Sequence, residues 1–367
     1  MASRRIALGE LISPVSEKNR DAVYTTVVGI SIDKEYMPSV ANLIGTDLSK
    51  YGVVRKGRFA LNPMHVGRDK RVPIALYEGN APALVSPAYQ MFEAINHQDV
   101  ADKYLDFLFK TDNFDHACWF HTDGTVRGGL TWNDLCSIEI TLPDISVQKD
   151  MVRMANVLES RLETVVISRN KIRSLMSVIA VEAIRSGKYS EESLTDNVTF
   201  TNGLAMQKFR PIRGERGLKV IKIRELNQGF CDEKSDVCTQ DLKEKNIISA
   251  GDLVFSWSGS LTADVWGAET AGLNQHLFKV ESNRYPEWFC MVWILHYLRQ
   301  FQRTAKDKGT TFGHIKRDDL DRCMVLVPND MANVDQKVGP LFDYYVELTE
   351  ERIQLLKLRK VLLSKLA

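Results

Sequence analysis

The sequence predicts an α+β chain. It has two globular α/β heads of one type in pseudo-twofold tandem, each followed by a long α-helix, and the two helices pair as an antiparallel coiled coil. Three observations predict this. Asp102 to Pro143 matches Glu287 to Pro328 without a gap, at an offset of 185 residues. Behind each copy, apolar residues recur at every seventh position. Neither helical stretch contains Gly or Pro between Ser146 and Ser186 or after Pro340, so neither carries a strong helix breaker there. The expected boundaries are a first head over 1–143, a first helix over 144–187, a second head over 188–328 and a second helix over 329–367.

Each element follows from local pattern. In the first head, Val53-Val54-Arg55-Lys56-Gly57-Arg58-Phe59 reads as an apolar pair, a Gly turn and a strand. Ile247-Ile248-Ser249-Ala250-Gly251-Asp252-Leu253 repeats that order in the second head. An aromatic-rich helix opens each matched segment, at Tyr104 to Phe109 and at Phe289 to Leu295. Within the match, Gly124, Thr125 and Gly128 align with Gly309, Thr310 and Gly313. Asp134-Leu135 aligns with Asp319-Leu320, and Pro143 with Pro328. A period this long indicates a duplicated domain rather than a solenoid. The first helix carries Met151, Leu158, Val165, Ile172 and Ile179 at seven-residue spacing, with Met154, Leu162, Leu175 and Met176 between them. The second carries Val334, Leu341, Leu348, Leu355 and Leu362, with Tyr345, Leu358 and Leu366. Such spacing is the coiled-coil signature; the plainer reading is two amphipathic helices, each packed on its own head. The chain order of head, helix, head, helix lets the two run antiparallel, and helices of roughly 30 to 40 residues span about 45 to 60 Å.

Composition narrows the class. Of the 367 residues, 44% are hydrophobic and 26% charged, as in soluble globular proteins. The net charge of +1 means that a polyanion-binding surface must be segregated from acidic surface elsewhere. Met1 to Ile12 lacks the apolar core of an export signal. The apolar run Trp288 to Leu298 is too short for a bilayer and reads as a buried helix. The six cysteines show no zinc-ligand spacing and read as reduced thiols, so the expected location is cytoplasmic.

Positive charge is clustered. Between Gly203 and Arg224 lie Lys208, Arg210, Arg213, Arg216, Lys219, Lys222 and Arg224 against the single acid Glu215, with Gly214 and Gly217 making a loop. The first head offers Arg55, Lys56 and Arg58, then Arg68, Lys70 and Arg71. A third group, Arg303, Lys306, Lys308, His314, Lys316 and Arg317, surrounds Gly309-Thr310-Thr311, and Arg127-Gly128-Gly129 is its counterpart in the first head. Basic loops of this kind suit phosphate contact and groove entry. Solvated surface loops are the plainer reading. Asn62, Asn274 and Gln275 have the chemistry to read base edges.

The chain resembles the specificity subunits of Type I restriction–modification enzymes over nearly its whole length. The residues that carry the resemblance are Leu8-Gly9-Glu10-Leu11-Ile12, Ser49 to Val54, Gly57 to Pro63 and Val85 to Tyr89. In the second half they are Gly251 to Leu261 and Gly272-Leu273-Asn274-Gln275-His276-Leu277. Where that family has Pro-Pro and Glu-Gln, this chain has Leu142-Pro143 and Val327-Pro328, then Val147-Gln148 and Asp335-Gln336. The resemblance implies that each head is a target-recognition domain reading one half of a split double-stranded DNA target. It also implies that the helices set the gap and dock two methyltransferase subunits, that a separate motor-nuclease restriction subunit joins for cleavage, and that S-adenosylmethionine belongs to the methyltransferase.

The residues themselves offer no catalytic set. Asn62-Pro63-Met64-His65 lacks the second proline and the aromatic of an adenine methyltransferase motif. No phosphate-binding loop of a motor and no HExxH occurs. Ser256-Trp257-Ser258-Gly259-Ser260 lacks the nucleophile-elbow pattern, and His276 reads as a hydrogen-bonded structural residue. The chain is therefore expected to be non-catalytic, with no cofactor of its own. The alternatives are the specificity subunit of a Type IIB-like enzyme, a coiled-coil adaptor that binds protein or RNA, and an enzyme with an unrecognised site.

Overall fold

A computed structural model describes residues 3–64, 66–122, 129–307, 313–315 and 317–365. The fold is mixed α+β and contains a helix of 42 residues, Ile145–Ser186, and a second of 34, Met331–Ser364. Two compact units form. One comprises Met1–Glu159 with Leu358–Ala367, the other Ser160–Lys357. The division thus falls within the long helices, so each unit takes a head together with part of both.

In the first unit, four strands are ordered Ile12–Val15, Gln90–Ala94, Phe59–Leu61, Ile74–Leu76, with antiparallel neighbours throughout. In the second unit the order is Thr199–Asn202, Leu277–Glu281, Leu253–Ser256, Ala263–Val265, again antiparallel. Taken in chain sequence, the two sheets have one topology. Each head is closed by its entry strand pairing with its last strand, Ser3–Ala7 with Glu139–Pro143 and Tyr189–Ser193 with Met324–Pro328. Both closing strands end on proline, which has no N–H to extend a ladder. The Gly turns also correspond. Gly57 and Gly251 lie at φ +88 and +95, the left-handed region that favours glycine. Their N–H groups donate to Tyr77 and Trp266 carbonyls, in line with each other.

Aromatic burial builds both cores. Phe59 stacks on Phe92 at 5.0 Å, and Phe109 packs on Phe114 at 4.7 Å. The apolar run from Trp288 falls within a helix, Glu287–Asp307, that buries Trp288, Phe289, Cys290, Met291, Ile294 and Leu298. This helix and Asp102–Phe109 begin at the positions the repeat aligned. No helix among the described residues is long and apolar enough to cross a membrane. All six cysteines are free thiols.

The long helices bury one stripe. On the first, Ala155, Leu162, Val165, Arg169, Ile172, Met176 and Ala180 are buried, a spacing of three, four and seven. On the second, Val334, Val338, Phe342, Tyr345, Leu348, Thr349 and Ile353 are buried. Within the second unit the helices run antiparallel. Arg161 pairs with Glu351 at 2.6 Å, and further along Arg169 reaches Thr349 and Tyr345 at 3.0 and 2.9 Å. Within the first unit, Met151, Val152, Leu362 and Leu363 pack against the same core as Ala155. Met154, Leu175 and Leu358, expected with the apolar set, are instead about half exposed. Met154 and Leu175 are each one residue, about 100° around the helix, from buried Ala155 and Met176. The second helix also continues through Pro340. The proline removes one intrahelical bond, but buried Val338 and Phe342 on either side hold the turn in place.

Candidate nucleic-acid interface

In the second unit, an unusually close approach of two chain segments creates an edge. Gly203 donates its N–H to the Leu277 carbonyl, and Leu204 donates to Leu273. A Cβ on Gly203 would lie 2.2 Å from the Asn274 carbonyl oxygen, so only glycine fits. Gln275 N–H returns the bond to the Leu204 carbonyl. Asn202 and Gln275 are thereby brought to one indole. Trp257 Nε1–H donates to Asn202 Oδ1 and to the Gln275 carbonyl, both at 3.2 Å. Ser258 Oγ lies 2.9 Å from His276 Nδ1, and Gln275 Nε2 lies 3.3 Å from His276 Nε2. Asn202 and His276 are exposed and Gln275 half-buried.

One predicted basic cluster continues from this edge, and the backbone of Gly313–His314 and Ile315 borders it. From Leu204 the chain enters the turn Met206–Lys208 and then the loop that reaches Gly217. Glu215 closes the loop. Its carboxylate accepts from the Ile212 N–H (2.9 Å), the Thr239 hydroxyl (2.9 Å) and the Gln240 N–H. Those donors, the Gln240 N–H foremost, hold its pKa below the usual carboxylate value. Lys208, Arg210, Arg213 and Arg216 point from this frame into solvent. Among the described residues Lys208, Arg213 and Arg216 have no ion pair, and Arg210 donates to the Gln207 carbonyl and lies within electrostatic reach of Asp236. On the other side, Gly313–His314 pairs with Ser258–Gly259, and Ile315 N–H donates to the Trp257 carbonyl at 2.9 Å. Lys308, Thr310, Thr311 and Lys316 lie outside the described residues, and the side chains of Lys306, His314 and Arg317 are likewise not described.

Several expected contacts have other employment. Asn274 is buried, and its Oδ1 accepts from the His276 N–H at 3.3 Å. It shapes the turn that presents Gln275 and His276. Lys219 is half-buried and donates to the Ser235 carbonyl. Lys222 pairs with Asp236 at 2.5 Å, and Arg224 pairs with Asp232 and buried Glu225. These three cations bind the loop's stem together. Sequence inspection saw one acid in the segment because the partner carboxylates lie further along the chain. Asn202 had no part in that reading, and His276, read there as a hydrogen-bonded structural residue, contacts Ser258 Oγ and Gln275 Nε2. The signal available was the aromatic and polar composition of Trp257-Ser258 and Gln275-His276.

The first unit repeats the Ile315–Trp257 contact. Leu130 N–H donates to the Pro63 carbonyl at 3.1 Å, where Ile315 meets Trp257 in the second unit. Arg127 lies outside the described residues, as does His65. Asn62 Oδ1 accepts from the Met64 N–H at 3.1 Å, a turn contact. Lys70, at φ +52, holds its ammonium 4.5 Å from the Trp119 ring centre, and exposed Arg71 sits 3.4 Å from Asp33. Arg68 is on the short helix Val66–Asp69, and its side chain is not described. Arg55 and Arg58 are ion-paired. Both clamp Glu17, at 2.6 and 2.5 Å, and the Arg55 hydrogen bond foremost lowers that carboxyl to about 2.

The edge of the second unit can neutralise phosphates and present amides and an imidazole. Ser258 and His276 do not form a hydrolytic dyad of the usual kind, because Gln275 rather than a carboxylate faces the second ring nitrogen.

No protein-family model and no curated protein matches the chain. Solved structures do. The S subunit of the Type I restriction–modification system from M. genitalium is 14% identical, with 100% of this chain and 96% of that one covered and a TM-score of 0.53. The HsdS subunit from Thermoanaerobacter tengcongensis is 16% identical, covering 99% and 96%, with a TM-score of 0.38. A chain from a study of complex assembly and conformational transition of the type I R-M system is 17% identical, covering 99% and 97%, with a TM-score of 0.42. The chain therefore has the fold of the M. genitalium S subunit along its full length.

Proposed function

We propose that this chain is a sequence-specific DNA-binding specificity subunit of a Type I restriction–modification enzyme. The observation that carries the reading is the doubled head. One strand topology and one backbone hydrogen bond at matching positions occur twice, and each unit displays exposed cations. Two heads of one type with different exposed residues suit a bipartite target with unlike halves. The long helices suit the spacer that sets the gap and docks methyltransferase subunits, likewise two in number. The domains proposed are target-recognition domains over 1–143 and 188–328, with spacer helices over 144–187 and 329–367. The chain itself carries recognition and no chemistry. Methyl transfer from S-adenosylmethionine belongs to the methyltransferase, cleavage belongs to the restriction subunit, and the assembly works in the cytoplasm.

The test is co-expression with a candidate Type I methyltransferase subunit from the same genome. The two should copurify, and the pair should methylate DNA at a split sequence while the pure chain alone methylates and cuts nothing. Methyl transfer by the chain alone, or failure of any methyltransferase to copurify, contradicts the proposal.

A further inference from the structure

Trp257 fixes the orientation of an amide. The indole N–H can only donate, so Asn202 turns its oxygen inward to receive it at 3.2 Å. The Asn202 Nδ2 donor is left facing outward, with no partner among the described residues. Gln275 is oriented in the opposite sense. Its Nε2 faces His276 Nε2 at 3.3 Å, and because an amide nitrogen donates, that ring nitrogen is the acceptor. Ser258 Oγ lies 2.9 Å from the other ring nitrogen, Nδ1. Gln275 Oε1 is left outward as an acceptor, likewise without a partner among the described residues. The edge therefore presents one amide donor and one amide acceptor. Both are on rigid supports, since Asn202 ends a sheet strand and Gln275 is tied through its own backbone to Leu204 and Trp257.

We propose that Asn202 and Gln275 are the base-reading pair of the second unit and recognise the major-groove edge of an adenine. Adenine offers an N7 acceptor beside an N6 donor, which complements an outward donor beside an outward acceptor. Guanine offers two acceptors on that edge, and the isolated donor of cytosine satisfies only one of the two amides. The phosphate backbone alongside is met by Lys208, Arg210, Arg213 and Arg216, which follow directly from the same strand. This inference rests on the DNA-specificity reading above.

The test selects binders from a randomised DNA duplex library on the full-length chain. Wild type should enrich a sequence with an adenine in one half-site. Asn202→Asp keeps the oxygen that Trp257 needs and removes the outward donor. It should lower preference for that adenine by roughly 10-fold and leave the other half-site unchanged. Gln275→Ala should weaken preference at the same position. In wild type, replacing that adenine by 7-deazaadenine should weaken binding by a similar factor and should not weaken binding by Asn202→Asp further. Unchanged preference in both variants, a change confined to a G·C pair, or insensitivity of wild type to 7-deazaadenine at every selected adenine overturns the base-reading pair alone. A wild-type chain that enriches no sequence overturns the DNA-specificity reading, and this inference with it.

Discussion

Arg213 and Arg216 stand on a loop whose shape is held by Glu215, so they are displayed without internal partners to leave. If they lie on phosphates, replacing both by alanine should weaken DNA binding several-fold and reduce the slope of log affinity against log salt by about 2. Titrations at several salt concentrations measure this, and an unchanged slope removes the loop from the interface. Glu17 supplies a residue-scale test of the first head. Its folded pKa is depressed to about 2 against an ordinary value of 4.5. A depressed acid stabilises the fold fully above its unfolded pKa, and that contribution is lost as pH falls from 4.5 towards 2. Glu17→Gln should therefore melt earlier than wild type at pH 7, with the difference shrinking towards pH 2 to 3. A difference that stays constant with pH contradicts the ion-pair account. The basic loops were legible in the sequence because charge density and glycine are local properties. Which cations are free was not, since Glu17 lies 38 and 41 positions from Arg55 and Arg58.

Arg169 joins three elements of the second unit. From the first long helix its guanidinium binds both Asp264 oxygens at 2.9 Å, the Tyr345 hydroxyl at 2.9 Å and Thr349 Oγ1 at 3.0 Å. Asp264→Ala leaves that buried guanidinium short of its counter-charge and should cost about 2 to 3 kcal/mol, read as an earlier urea midpoint for the second unit. A cost under about 0.5 kcal/mol contradicts the anchor. Gln148 has the corresponding task in the first unit. Fully buried, it donates to the Asp99 and Pro143 carbonyls at 2.8 Å and accepts from the Ala101 N–H at 3.0 Å. It thereby ties the start of the long helix to the start of Asp102–Phe109. In the second unit Asp335, not exposed Gln336, makes the equivalent tie, accepting from Trp288 Nε1–H at 2.7 Å. The helices were legible because their period persists over many turns. The sheets were less so. Their strands are mostly three to five residues long, too short for alternation to assert itself, and their order depends on partners far away in sequence.

At the scale of the whole molecule, the duplication was legible through an ungapped offset near each head's end, and it reappears as one strand order in both units. The heads' interiors diverge, so the sequence gives no direct view of the Trp257 edge. If the heads choose bases and the helices set spacing, replacing 188–328 with another such head should change one half of the target only. Seven residues inserted after Glu159 and seven before Leu358, where the compact units divide, keep the heptad in register and should lengthen the gap. The most direct measurement is a genome-wide map of methylated positions in cells carrying this chain and its methyltransferase. Methylation is expected at a two-part sequence with unlike halves and a fixed gap, shifting in one half with the head exchange. An undivided target, or methylation unchanged when this chain is deleted, would contradict it.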